Sequence, residues 1–155
     1  MKKQLGKNDV WQLGELVKRS FQSPDLFNPN DRVELIDNEI YLVNNRPVIV
    51  KTQGRLIPTV NILLEHNFLK KVVVDMGAVK FVTSGADVFR PGILKIDEAI
   101  KKDEIISIVD ERHEKPLAVG FALMSGKDMK AQEKGRVIKM VHWVGDRIWE
   151  FSKTI

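Results

Sequence analysis

The sequence contains no cysteine, which excludes disulfide staples, thiol catalysis and every cysteine-ligated zinc or iron–sulfur site. It also fits a reducing compartment. No apolar run approaches the roughly 20 residues that cross a bilayer. The opening Met1-Lys2-Lys3-Gln4-Leu5-Gly6-Lys7 is basic, but no apolar stretch follows, so no signal peptide is expected and the expected location is the cytoplasm. The three histidines, His66, His113 and His142, are too dispersed for a sequence-local metal site. No internal repeat and no low-complexity tract is present.

What is there is the make-up of an ordinary folded protein. The chain has 155 residues, 43% hydrophobic and 30% charged, enough to bury a core without staples. The net charge is +4 and the isoelectric point near 9.3. Divided after Val72, the chain carries 11 basic and 8 acidic residues before the cut, then 14 and 13 after it. Neither half is a polycation, so any nucleic-acid contact has to come from a local patch.

The spacing of Val10, Leu13, Leu16 and Val17 predicts a helix over about Asp9 to Phe21, capped by Asn8 or Asp9, with those four side chains inward. Ser23-Pro24-Asp25 and Asn28-Pro29-Asn30-Asp31 read as loop. Val33–Ile36, Ile40–Val43 and Val48–Val50 are β-prone runs separated by turn residues, the pattern of an antiparallel meander. A second helix is expected to start at Pro58 and to carry Val60, Leu63 and Leu64 inward. Val72–Val74 then reads as a buried strand, followed by a short helix from Ala78 to Thr83 packing through Ala78, Phe81 and Val82. It stops at Ser84-Gly85, where glycine takes the left-handed position. Val88-Phe89 is extended and Arg90-Pro91-Gly92 turns. Ile105–Val109, Leu117–Met124 and Val137–Val144 complete a set of short strands typical of a closed or nearly closed barrel.

The block Val74-Asp75-Met76-Gly77-Ala78-Val79-Lys80-Phe81-Val82-Thr83-Ser84-Gly85-Ala86-Asp87-Val88-Phe89-Arg90-Pro91-Gly92-Ile93 resembles the opening of a PUA domain. An aspartate and a glycine–alanine pair open a short helix, a second glycine–alanine pair closes it, and a proline–glycine turn follows. Ala118-Val119-Gly120, Lys134-Gly135-Arg136 and Asp146-Arg147-Ile148-Trp149 fall where that family keeps an apolar-glycine strand, a lysine–glycine step and a terminal strand. The resemblance covers roughly the last 80 residues. Upstream, Ile57-Pro58-Thr59-Val60 and Leu63-Leu64 resemble the pre-PUA domain of translation proteins related to the malignant-T-cell-amplified-sequence protein. The fold class implied is an α+β domain over residues 1–71 followed, over 72–155, by a mainly-β PUA pseudo-barrel with one short helix.

The resemblance places RNA on the helix and the segment leaving it. Ser84, Gly85, Ala86 and Asp87 then offer exposed backbone N–H groups to a phosphate or base. Lys80 and Arg90, on their own ordinary solvated charges, become candidate phosphate contacts, as do Lys134, Arg136 and Lys139. Asp87 is a candidate acceptor for a nucleobase, with turn support as the alternative. His142 is a candidate for stacking on a base, with an edge-strand role as the alternative. Trp143 and Trp149 read as barrel anchors rather than stacking platforms. No catalytic residue, cofactor or metal is expected. Asp75 and Asp87 lack a partner histidine or nucleophile, and Asp75 suits the start of a helix. Gly54-Arg55-Leu56-Ile57 resembles a pseudouridine-synthase string, but Ile57 stands where the catalytic aspartate belongs.

The expected function is non-catalytic docking on structured RNA, a tRNA acceptor end or ribosomal RNA, in translation initiation or ribosome recycling. The resemblance implies a SUI1-type translation factor as partner. The alternatives are an accessory targeting subunit for an RNA-modification enzyme, and a protein-binding scaffold.

Overall fold

The computed structural model describes residues 1–21 and 23–155. The chain begins with strand β1 (Lys2–Gln4), helix α1 (Lys7–Phe21) and strands β2 (Val33–Ile36), β3 (Ile40–Val43), β4 (Arg46–Thr52) and β5 (Arg55–Pro58). The strands form one antiparallel sheet in chain order. Three of its hairpins turn on residue pairs with positive φ, Asp37-Asn38, Asn44-Asn45 and Gln53-Gly54, whose twist matches that of the flanking strands. The expected meander is present, lengthened by a strand at each edge.

Helix α1 buries Val10, Leu13 and Val17 against this sheet. Leu16 is exposed instead. At about 100° per residue it sits roughly 90° from the centre of that stripe. The chain stays extended through Pro58, and helix α2 (Val60–Glu65) begins after Thr59, whose hydroxyl accepts the Ile62 N–H. Val60 and Leu63 are buried, whereas Leu64 faces out.

Then follow β6 (Lys71–Val74), α3 (Met76–Val82), β7 (Val88–Phe89), a 3-10 turn at Arg90–Gly92, β8 (Ile93–Ile96), β9 (Ile105–Asp110), β10 (Pro116–Ala122), α4 (Gly126–Ala131), β11 (Arg136–Trp143) and α5 (Arg147–Ser152). The six strands order as β7-β11-β10-β9-β6-β8, with β6 and β9 parallel and the other pairs antiparallel. The 3-10 turn links the two edge strands, so the sheet curls into a nearly closed barrel. The fold class is the expected one, an α+β unit followed by a mainly-β barrel.

The barrel carries three short helices where the sequence suggested one. The difference lies in Ser125 and Asp146, whose side chains accept the N–H of Asp128 and of Trp149 and so start α4 and α5. Asp146–Trp149, expected as a terminal strand, is therefore the first turn of a helix. One face of β9, β10 and β11 lines the barrel core with Ile106, Ile108, Ala118 and Ile138. The other face presents Ile105, Val119 and Phe121 to Ile40, Leu42, Val50, Val60 and Leu63. The two sheets thus share a core across their seam.

Candidate nucleic-acid interface

Helix α3 starts where Asp75 accepts the Ala78 N–H at 2.8 Å. It packs on the barrel through Ala78, Val79 and Val82. Phe81, expected on that face, lies about 100° from its centre and is 57% exposed. The helix ends on Gly85, at φ +89°, with the Gly85 N–H donating to Val82 O and the Ala86 N–H to Phe81 O. The chain turns back through Ala86 to Gly92 and forms the second wall of a groove of about 510 Å³. Its floor is closed by the Asp75 N–H donating to Gly92 O at 3.0 Å. A Cβ on Gly92 would sit 3.1 Å from that of Ala78, so glycine lets the walls converge.

The lining is largely apolar, and Phe81 and Phe89 stand at the groove, 57% and 55% exposed. Cations surround it. Lys80 Nζ lies 5.2 Å from the Phe81 ring centroid. The Lys134-Gly135-Arg136 step is tied to the groove by the Arg90 N–H donating to Gly135 O, and Arg136 pairs in register with Phe89. Accessible rings beside exposed cations suit a base that stacks and a phosphate that follows it.

Lys80, Lys134, Arg136 and Lys139 are all exposed. Lys139 Nζ donates to Gln53 on the β4–β5 turn at 2.9 Å. Other expected contacts are engaged in holding the fold. The Ser84, Gly85 and Ala86 N–H groups bond to Phe81 and Val82 carbonyls, and the Ser84 hydroxyl to Phe81 O, so these three amides are not on offer to a phosphate. Asp87 accepts the Met140 N–H at 2.8 Å and Arg136 at 2.9 Å, pinning the groove wall to β11; of its two readings, support of the turn is the one seen. Arg90 is half-buried, its guanidinium donating to Met129 O and Ile93 O.

His142 is a correction. The ring is 1% exposed and cannot stack on a base. It lies at the seam of the sheets, where Nε2 accepts the Val60 N–H at 3.0 Å and Nδ1 faces Asp146 Oδ2 at 2.7 Å. Since Nε2 accepts, the proton sits on Nδ1 and donates to the carboxylate. Burial raises the Asp146 pKa, but the His142 ring and the Trp149 and Trp143 N–H groups outweigh this and hold it below the usual aspartate value. A carboxyl with a depressed folded pKa contributes stability above its unfolded value, and that contribution is lost as pH falls through the folded one. Acid unfolding of Asp146→Asn should therefore lose less stability below about pH 4 than the wild type does. Parallel denaturation curves for the two across that range would refute this.

Sequence reasoning missed Phe81 and Phe89 as exposed rings at the groove. The available signal was angular: with Ala78 and Val82 inward, Val79 rather than Phe81 completes the buried stripe. Among the described residues no group of three or more His, Asp or Glu side chains is placed to hold a metal ion, and no helix is long and apolar enough to cross a membrane.

Residues 70–144 match the PUA domain family, which fixes the class of the barrel. An uncharacterized protein of Methanocaldococcus jannaschii is 43% identical over 96% of this chain and 94% of its own length. Translation machinery-associated protein 20 of Saccharomyces cerevisiae is 31% identical over 90% of this chain and 78% of its own. A crystal structure of a hypothetical protein from Pyrococcus horikoshii superposes with a TM-score of 0.85 at 34% identity, covering 98% of this chain and 99% of that one. This chain belongs to the PUA-protein family that includes translation machinery-associated protein 20 and malignant T-cell-amplified sequence 1.

Proposed function

We propose that this protein is a non-catalytic RNA-binding component of translation that docks on structured RNA through the groove between α3 and β7. The observation that carries the reading is the pair of exposed rings, Phe81 and Phe89, on an apolar groove with Lys80, Lys134 and Arg136 around it. Exposed aromatic rings on a rigid barrel are costly to leave in water and suited to unstacked bases. A tRNA acceptor end supplies unpaired bases joined to a duplex; an exposed ribosomal RNA loop supplies the same chemistry. Kinship with proteins named for the translation machinery supports that setting, in initiation or ribosome recycling. In this reading residues 72–155 form the RNA module, and residues 1–71 orient it and recruit a SUI1-type translation factor.

The test is binding of a tRNA transcript by the wild type and by Phe81→Ala/Phe89→Ala. Stacking contributes about 1–3 kcal/mol per base, so the double variant should bind at least tenfold more weakly. Its unfolding midpoint should stay close to wild type, because more than half of each ring is already in water. Equal affinities, or no salt-dependent RNA binding by the wild type, would remove the reading.

A further inference from the structure

The groove is not the strongest concentration of positive charge on the molecule. A cleft of about 320 Å³ opens at the seam, between the end of α1, the β4–β5 hairpin and the Lys101–Ile105 segment that leads into β9. It is lined by Arg19, Arg55, Lys70, Lys101 and Lys102 against only Asp103 and Glu104. That is a local excess of three positive charges in a chain whose whole net charge is +4.

Lys70 is neutralised by Glu104 at 2.9 Å. Arg19, Lys101 and Lys102 have no ion-pair partner among the described residues. Arg55 has none there either, and its guanidinium carbon lies over the Phe121 ring, 4.2 Å from the centroid. A guanidinium resting on an aromatic ring has lost part of its freedom before it takes a phosphate, and its N–H donors stay available to do so.

The cleft is also connected to the groove. Phe121, under Arg55, is the cross-strand partner of Lys139. On β11 the consecutive buried residues Val137 and Ile138, at a register shift against β7, leave Arg136 and Lys139 both facing solvent. Arg136 in turn lies opposite Phe89 of the groove. Cations therefore run from the groove along β11 and over the seam into the cleft.

We infer that the seam cleft is a second RNA contact, taking phosphodiester groups of the same RNA whose unpaired bases occupy the groove. This rests on the proposed function of the groove. Phosphates are the chemical class that fits, since the unpaired cations Arg19, Arg55, Lys101 and Lys102 are spread over α1, β5 and the segment before β9 rather than converging on one small anion. The contact positions the RNA; it reads no sequence.

Two RNAs and three variants test this. A tRNA transcript spans both surfaces, whereas a short single-stranded oligonucleotide fills only the groove. Lys101→Ala/Lys102→Ala should weaken tRNA binding about tenfold at physiological salt. It should also reduce the slope of log K against log salt by roughly 1.4–1.8, for two phosphates released. Oligonucleotide binding should be unchanged. Lys101→Arg/Lys102→Arg should behave as wild type on both RNAs. Lys95→Ala/Lys115→Ala, removing two exposed charges outside the cleft, should leave tRNA binding within about twofold.

A double alanine variant that binds tRNA with wild-type affinity and slope overturns the inference. So does an equal loss in the Lys95/Lys115 variant, which would show bulk charge at work. Failure of the groove reading looks different: the wild type then fails to bind the oligonucleotide, or Phe81→Ala/Phe89→Ala binds it as well as wild type.

Discussion

Replacing His142 with alanine is expected to cost about 3–5 kcal/mol of folding stability, because it removes a hydrogen bond to a buried carboxylate and orphans a buried N–H at the same time. The ring is 1% exposed and bonds on both sides, to Asp146 and to the Val60 N–H from 82 residues earlier. Alanine leaves that N–H without an acceptor, worth about 1–3 kcal/mol by itself. It also takes from the Asp146 carboxylate a partner that holds it ionised, and opens a cavity between the two sheets. His142→Gln retains an acceptor for Val60 but not the bond to Asp146, so it should fall between the two. Urea denaturation at neutral pH, followed by far-ultraviolet circular dichroism, measures all three proteins. A loss below about 1 kcal/mol for the alanine variant, the net worth of one ordinary hydrogen bond, would show that the seam does not depend on this residue.

Gly85→Ala should be nearly as damaging, at about 2–4 kcal/mol, for two independent reasons. The backbone there has φ +89°, where an L side chain is disfavoured by about 1–2 kcal/mol. A Cβ would also lie 2.4 Å from a ring carbon of Trp143, and overpacking of this kind costs about 1–3 kcal/mol. Gly135 separates the two effects. Its φ is +102°, but nothing lies within 4 Å of the Cβ position, so Gly135→Ala should cost only the backbone share. Thermal unfolding of both variants beside wild type decides the matter; equal shifts would mean that the Trp143 contact relaxes freely. Because Gly85 also ends the helix that forms one wall of the groove, Gly85→Ala should weaken RNA binding as well.

Much of the fold was legible locally. The 3,4 spacing of Val10, Leu13 and Val17 marked α1, paired turn residues marked the hairpins of the first sheet, and Gly85 marked the end of α3. Three of the errors had one physical form. Leu16, Leu64 and Phe81 were assigned inward because they are apolar, although helical geometry placed them past the edge of the buried stripe. The helices α4 and α5 went unread because a capping serine or aspartate carries little weight before so short a segment. Pro58, the last residue of β5, was taken as the beginning of a helix because proline suits both a first helical turn and the end of an edge strand.

The candidate site divided differently. Lys80, Lys134, Arg136 and Lys139 are exposed, as expected of them, but residue type says nothing about which polar groups the fold itself engages. Asp87 meets its partners 49 and 53 residues away, and Arg90 reaches Met129 across 39. Those separations leave no periodic trace in the chain.

By itself the sequence determined a nearly closed barrel of short strands, the position of α3 and its closing glycine, and the absence of any cysteine chemistry, because each rests on local backbone preference or on composition. Only the tertiary structure decided that His142 joins the two sheets instead of meeting a base, that Phe81 and Phe89 stand free on the groove, and that Arg19, Arg55, Lys101 and Lys102 gather at one cleft. Burial and proximity are set by how the two sheets pack, and packing depends on the whole chain at once.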